Sequence, residues 1–324
     1  MSNSLLSVGL AQIAPVWLNR AATCEKIVTW IQNAAAEGCS LVVFGEALLP
    51  GYPFWVERTD GAKFDSELQK SLYAHYVSES VSIDSGDLDD LKAAAREHSI
   101  AVYVGVVERA SDRGGHSLYC SMVFIDADGQ IGSVHRKLMP TYEERLVWAI
   151  GDGNGLCTHS LGAFTAGGLN CWENWLPLAR ASLYGQGEDL HVAIWPGNLR
   201  NTQEITRFIA RESRSFVVSV GGLMRRSDIG LDLPHASVLR DTADALMADG
   251  GSCVASPDGE WLLEPQSGDE SLYIVELDHL RVLEERHNLD VAGHYSRPDV
   301  TRLIVNRKRQ TTVEFSDDDS SDDQ

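Results

Sequence analysis

A strand, a helix and a second strand follow one another within the first 44 residues, and this unit restricts the fold more than any other part of the chain. Residues 7–13 alternate as a strand, and Pro15 closes it. Asn19 can cap a helix whose apolar positions Ile27, Trp30, Ile31, Ala34 and Ala35 share one face, and Gly38 ends it. Leu41-Val42-Val43-Phe44 is then a second, wholly apolar strand, bounded by the breakers Pro50, Gly51 and Pro53. Such a unit predicts a parallel strand pair joined by a right-handed crossover.

The alternation continues along the chain. Leu88, Leu91 and Ala95 mark a helix face, and residues 100–107 and 117–126 read as strands. Asp128-Gly129 turns the latter back into a strand over 131–137. Residues 58–85 are more polar, with a helix-like stretch at 67–77 and nothing that points to catalysis. Further on, 190–195, 216–220 and 271–277 read as strands, and 251–255 with 260–263 as a hairpin around Pro257-Asp258-Gly259. Ile205, Phe208 and Ile209 read as the core side of a helix, while Arg207, Arg211 and Arg214 form a stripe that suits a solvated or intersubunit face better than a substrate clamp. No Pro/Gly/Ser-rich linker separates two halves.

Composition excludes several functions. A net charge of -20 argues against a nucleic-acid surface or an anionic membrane as partner. Five of the aspartates crowd residues 316–324, and the tail from 311 to 324 is expected to be disordered. The six cysteines show neither a CxxC pair nor Cys/His ligand spacing, so no metal site is expected. There is no basic segment followed by an apolar stretch at the N-terminus, and no apolar run of about 18 residues. A reducing cytoplasm is the expected location, and it suits a free thiol.

Three strand ends carry reactive groups. Phe164-Thr165-Ala166-Gly167 is β-prone, and Leu176, Ala179 and Leu183 have helical spacing, so Cys171 between them sits at a strand-to-helix corner. Free N–H groups and the positive end of a helix dipole there favour thiolate. Glu46 follows the Leu41 strand, Lys137 ends the 131–137 strand, and Glu144 lies in the segment after it. In open α/β sheets, sites assemble just beyond the carboxyl ends of neighbouring strands. Taken singly, each has a plainer reading: a buried cysteine, a solvated loop acid, an exposed cation and a helix-surface charge.

Taken together they do not. Phe44-Gly45-Glu46-Ala47-Leu48-Leu49-Pro50-Gly51-Tyr52-Pro53, His135-Arg136-Lys137-Leu138-Met139-Pro140-Thr141 with Glu144-Arg145, and Cys171-Trp172-Glu173-Asn174 resemble, in order and separation, the successive signature blocks of the nitrilase superfamily, specifically its nitrilase branch. The match runs from about Val8 to residues 293–299. It implies an α/β fold of four layers, αββα, in a single carbon-nitrogen hydrolase domain over residues 1–310. It also implies Cys171 as nucleophile, Glu46 as general base, Lys137 as the group that stabilises charge in the adduct, and Glu144 as its helper, with Glu143 a competitor by one residue. The implied chemistry is hydrolysis of a small-molecule nitrile, without metal or organic cofactor, in a homo-oligomer of dimers extending into spirals. An amidase or N-carbamoyl hydrolase, a cyanide hydratase and a non-enzymatic assembly protein are the alternatives. The family's asparagine after Tyr119 is replaced by Cys120, which is expected to pack rather than react. Tyr52, Trp148, Trp172, Trp175 and Trp195 are candidate substrate walls, with Trp55 beside them; core packing is the alternative, above all for Trp172 and Trp195. Such walls suit aromatic, arylaliphatic or other apolar nitriles over short polar amides.

Overall fold

A computed structural model describes residues 4–313, so the acidic tail beyond Val313 lies outside the described residues. The first unit forms as its pattern predicts. Strand β1 (Leu5–Gln12) leads into helix α1 (Arg20–Ala36), and β2 (Leu41–Phe44) returns parallel to β1 with Val8 opposite Leu41. Asn19 caps α1 by accepting a hydrogen bond from the Ala22 N–H at 3.0 Å. After α2 (Trp55–Arg58), α3 (Glu67–Glu79) and α4 (Asp89–His98), strand β3 (Ala101–Arg109) adds parallel to β2. Strands β4 (Leu118–Ile125) and β5 (Ile131–Arg136) follow as antiparallel neighbours. Two antiparallel steps restore direction, so β5 ends on the same side of the sheet as β2.

The second sheet repeats the plan. A hairpin of β6 (His159–Leu161) and β7 (Phe164–Asn170) is followed by α5 (Pro177–Tyr184), β8 (Leu190–Trp195), α6 (Leu199–Ser213) and β9 (Phe216–Gly221). Strands β7, β8 and β9 are parallel. Then come β10 (Leu223–Arg225), α7 (Ala236–Thr242), β11 (Leu246–Ala255) and β12 (Trp261–Ser267). Strand β13 (Ser271–Asp278) returns to pair with β1 before α8 (Leu280–Arg286). The sheet orders are β13-β1-β2-β3-β4-β5 and β10-β11-β9-β8-β7-β6, with β12 on β11.

Period-two alternation explains why these sheets stack into four layers. In β2, Leu41 and Val43 meet Leu190, Val192 and Ile194 of β8 between the sheets, while Val42 and Phe44 face the other way, into the layer with α1 and α4. In β8, Ala193 and Trp195 take the outward positions and pack on Ile205 and Ile209 of α6. These two strands are thus buried on both faces, which is why β2 is wholly apolar and β8 nearly so, with His191 its one polar residue.

Two sequence expectations change. Phe208 is half exposed, because the buried stripe of α6 runs through Thr202, Ile205, Thr206, Ile209 and Ala210, about a quarter-turn away. Leu176 is the residue before α5 rather than part of its buried face, because Cys171–Trp175 forms a separate 3₁₀ turn and Pro177 begins the helix. The helix dipole therefore starts six residues after Cys171.

Gly105 on β3 lies directly under the chain that leaves β2. A Cβ there would sit 2.3 Å from the Gly45 carbonyl oxygen and 2.6 Å from the Glu46 Cα. Gly105→Ala is therefore expected to destabilise the protein by about 1–3 kcal/mol, read as a lower urea midpoint. An unchanged midpoint would mean that the Glu46 loop does not cross β3 this closely.

Candidate active site

The ends of β2, β5 and β7 bring their side chains to one point. The Glu46 N–H donates to the Trp195 carbonyl at 3.0 Å, which ties the end of β2 in one sheet to the end of β8 in the other. Lys137 follows β5, and its N–H donates to the Cys120 carbonyl at 2.7 Å. Cys171 follows β7 with φ 49, a left-handed conformation that turns the chain sharply at the thiol. Glu144 lies on the 3₁₀ turn Tyr142–Leu146, whose own first residue also has positive φ.

The resulting cluster is closed from solvent. Lys137 Nζ stands 2.9 Å from Glu46 Oε1 and 2.8 Å from Glu144 Oε2, all three side chains being buried. Cys171 Sγ and one oxygen of each carboxylate lie within 4.8 Å of one another. Those three atoms are close enough to ligate a cation, but the Lys137 ammonium already supplies the positive charge between them. Glu144 is further held by the Tyr52 hydroxyl, which donates to Oε1 at 2.8 Å, and by the Thr141 N–H, which donates to Oε2 at 2.6 Å. Glu143 instead borders a surface cavity of about 680 Å³ with Val56, Tyr142 and Leu146, so of the two neighbours it is Glu144 whose side chain meets Lys137.

Two carboxylates share one ammonium, and the electrostatics follow. Burial pushes the Glu46 carboxyl up to about 7, with Glu144 adding and the Lys137 ammonium opposing. Burial alone would lower Lys137, yet the anionic forms of Cys171, Glu46 and Glu144 outweigh it and hold the ammonium well above its ordinary range. Burial also pushes the Cys171 thiol well up, reinforced by Glu46 and opposed by Lys137. The expected resting thiolate is thus corrected: no α-helix begins at Cys171, and burial pushes its thiol toward the protonated form.

The candidate aromatic walls divide. Trp148 lies with its ring centre 5.7 Å from Lys137 Nζ, and Tyr52 packs edge-on to it at 5.5 Å, so both border the cluster. Trp195 is wholly buried in the layer with α6 that also contains Cys171. Trp172 and Trp175 are half exposed, with rings 6.4 Å apart. Trp55 is buried edge-on to Tyr76.

Sequence reasoning missed Cys120. It packs in the core as expected, but its thiol also donates to Glu46 Oε1 at 3.4 Å, so it touches the site as well. Its position on β4, facing the loop after β2, was the available signal. Also missed were His135 and Glu173, two sites away from Lys137 and Cys171 in the chain and joined to each other at 2.9 Å.

A sequence model of the carbon-nitrogen hydrolase family matches residues 7–284, and the chain belongs to that family. Its relatives place it in the nitrilase branch. It is 35% identical over 318 residues to a nitrilase 2 from an unknown prokaryotic organism, covering 98% of each chain. It is 33% identical over 310 residues to an aliphatic nitrilase of Sinorhizobium fredii, covering 94% of this chain and 96% of that one. An arylacetonitrilase of Aspergillus kawachii is 34% identical over 322 residues, 94% of this chain and 92% of its own. Among solved structures, a carbon-nitrogen hydrolase from Helicobacter pylori G27 shares the fold with TM-score 0.67 and 20% identity, over 88% of this chain and 93% of that one. The protein is a hydrolase acting on carbon-nitrogen bonds.

Removing the shared cation leaves two buried carboxylates facing each other. Lys137→Met is expected to destabilise the fold by about 3–5 kcal/mol at pH 8. At pH 6 the loss should be smaller, because Glu46, raised further without its ammonium, takes up a proton in the folded variant while the unfolded carboxyl stays ionised. Urea denaturation at both pH values measures this, and equal losses would contradict it.

Proposed function

We propose that this protein is a nitrilase that converts apolar nitriles, aromatic or arylaliphatic, to carboxylic acid and ammonia through a covalent adduct on Cys171. The observation that carries this reading is the buried Glu46–Lys137–Glu144 cluster beside the Cys171 thiol. A nitrile carbon is a weak electrophile, and its nitrogen needs both charge stabilisation and a proton. Glu46 takes the thiol proton, and the sulfur forms a bond to the nitrile carbon, giving a thioimidate. Lys137 stabilises the charge that develops on nitrogen, and Glu46 passes the thiol proton to that nitrogen, which frees it to act as a base again. Glu46 then activates water, which adds to the thioimidate carbon; ammonia leaves, and an acyl thioester remains. A second water cleaves the thioester, releasing acid and restoring the thiol. Overall, one nitrile and two waters become one acid and one ammonia.

Support for an apolar substrate comes from Tyr52, Phe54 and Trp148, which pack ring against ring beside the cluster. Names among the relatives include both aliphatic nitrilase and arylacetonitrilase, so substrate size is the sharper question. Comparing kcat/KM for a phenyl-bearing nitrile, a short aliphatic dinitrile and the matching amides, while measuring ammonia, acid and amide together, tests it. The aromatic nitrile should be preferred, with acid as main product. A preference for the dinitrile would remove the aromatic proposal, and a preference for amides would remove the nitrilase proposal too. Because Glu46 acts unprotonated, kcat/KM should fall below about pH 7. Cys171→Ala should abolish turnover with the fold intact, and Lys137→Ala, Glu46→Gln and Glu144→Gln should each cost about 10²-fold or more. Ammonia release by Cys171→Ala would overturn the assignment.

We also propose that the protein works as dimers extending into spirals, in a reducing, cytoplasmic setting that keeps its free thiols reduced. A surface cavity of about 770 Å³ on α6, lined by Gln203, Arg207, Phe208, Arg211 and Trp261, supports an intersubunit surface there. Light scattering at micromolar concentration should show more than a monomer; a monomer would contradict the proposal.

A further inference from the structure

The apolar layer between the two sheets fixes their distance only through side-chain packing, yet Lys137 hangs from an edge strand of one sheet and Cys171 from a strand of the other. Something polar has to set one strand end against the other. Glu173, within the turn after β7, spans that gap. Its Oε1 accepts from the Leu138 N–H at 2.8 Å, immediately after Lys137. Its Oε2 accepts from the Asn170 N–H at 3.0 Å, immediately before Cys171, and lies 2.9 Å from His135 Nε2, two residues before Lys137. The side chain has no solvent exposure.

We infer that Glu173 is the positioning residue that fixes the Lys137 ammonium against the Cys171 thiol, by tying the end of β5 to the turn after β7. Both of its oxygens are occupied by donors that flank the two reactive residues, and an ionised carboxylate is the side chain that only accepts. With Glu173 accepting, His135 carries its proton on Nε2. The His135 and Asn170 contacts keep the Glu173 carboxyl below the usual range despite burial, which pushes the other way. A neutral amide of the same shape would present N–H to at least one of these donors, and the turn would have to shift.

The surrounding structure has further ties besides this carboxylate. Asn174 Nδ2 donates to the Cys171 carbonyl at 2.8 Å, and Asn174 Oδ1 lies 2.7 Å from His191 Nε2, so the turn is held from its other side. The Lys137 backbone keeps its bonds to Cys120 and from the Gly151 N–H at 2.9 Å. A variant at 173 should therefore fold with its reactive groups out of place.

Glu173's role in this sense presupposes the roles proposed for Cys171 and Lys137, so the test has one arm independent of nitrile turnover. Glu173→Gln and His135→Gln are compared with wild type for kcat and KM on a nitrile, for thermal midpoint, and for the pH dependence of iodoacetamide labelling of the Cys171 peptide, read by mass. In Glu173→Gln, kcat should fall about 10- to 100-fold with KM changed little. Labelling of Cys171 should move to higher pH, because the ammonium that favours its thiolate has retreated. His135→Gln, which keeps both backbone bonds to Glu173, should show smaller effects of the same sign. An unchanged labelling profile in Glu173→Gln, whether kcat holds or falls in step with the thermal midpoint, overturns the inference. If wild type turns over no nitrile, the proposed function fails, and the labelling profile still decides the role of Glu173.

Discussion

One ammonium serving two buried carboxylates is the constraint on which this site depends. A second cation would lock both acids as inert anions, and a second neutral group would leave Lys137 without adequate partners in a place where burial penalises charge. With three groups and a net deficit of positive charge, the proton affinity of the cluster rises. Glu46 sits at about 7 rather than in the usual carboxylate range, and the neighbouring thiol is held protonated. The cluster therefore holds an imbalance of charge, which the proposed mechanism releases when the thiol proton moves.

That imbalance has to be held in place by backbone that would otherwise relax. Ala47, Tyr142 and Cys171 adopt φ of 49, 44 and 49, so the turns that carry Glu46, Glu144 and Cys171 each contain a non-glycine residue in left-handed conformation. Each costs on the order of 1–2 kcal/mol. The apolar layers opposing that strain lie on both sides of every strand involved. Where the crossing is tightest, only glycine fits: Gly105 leaves room for the chain at Glu46. Strain at the site and apolar packing beneath it are two sides of the same arrangement.

Much of this was legible in the sequence, for physical reasons that also mark where reading stops. The strand Leu41–Phe44 declares itself because burial on both faces leaves it wholly apolar, and Leu190–Trp195 does so with His191 as its one polar residue. Glu46 followed from the first of these runs, whereas Lys137 and Cys171 end the less apolar strands Ile131–Arg136 and Phe164–Asn170. The short strand His159–Leu161 did not, since three half-buried residues before a glycine turn carry no periodicity. Phe208 misled because an apolar residue adjacent to a buried stripe satisfies the spacing without lying on it. The state of the Cys171 thiol was unreadable, because it depends on burial and on the charges of Glu46, Lys137 and Glu144, which lie far from it in the chain. Cys120 and Glu173 were visible as residues, but their contacts span 74 and 35 positions of chain, which no local pattern records.

The two glutamates show how geometry separates what composition cannot. Both touch the same lysine, and both are buried. Glu144 accepts from Tyr52 on one oxygen and from Lys137 and Thr141 on the other, so its acceptor positions are engaged. Glu46 engages Oε1 with Lys137 and the weakly donating Cys120 thiol, while its Oε2 has no hydrogen-bond partner among the described residues. A carboxylate with all its contacts made is a support; one with an oxygen left over and a proton affinity near neutrality can accept and return a proton. The contrast supports Glu46 as the proposed base and Glu144 as the residue that steadies Lys137. The Cys120 thiol, a weak donor at 3.4 Å from Glu46 Oε1, does little to oppose the burial that raises the Glu46 carboxyl.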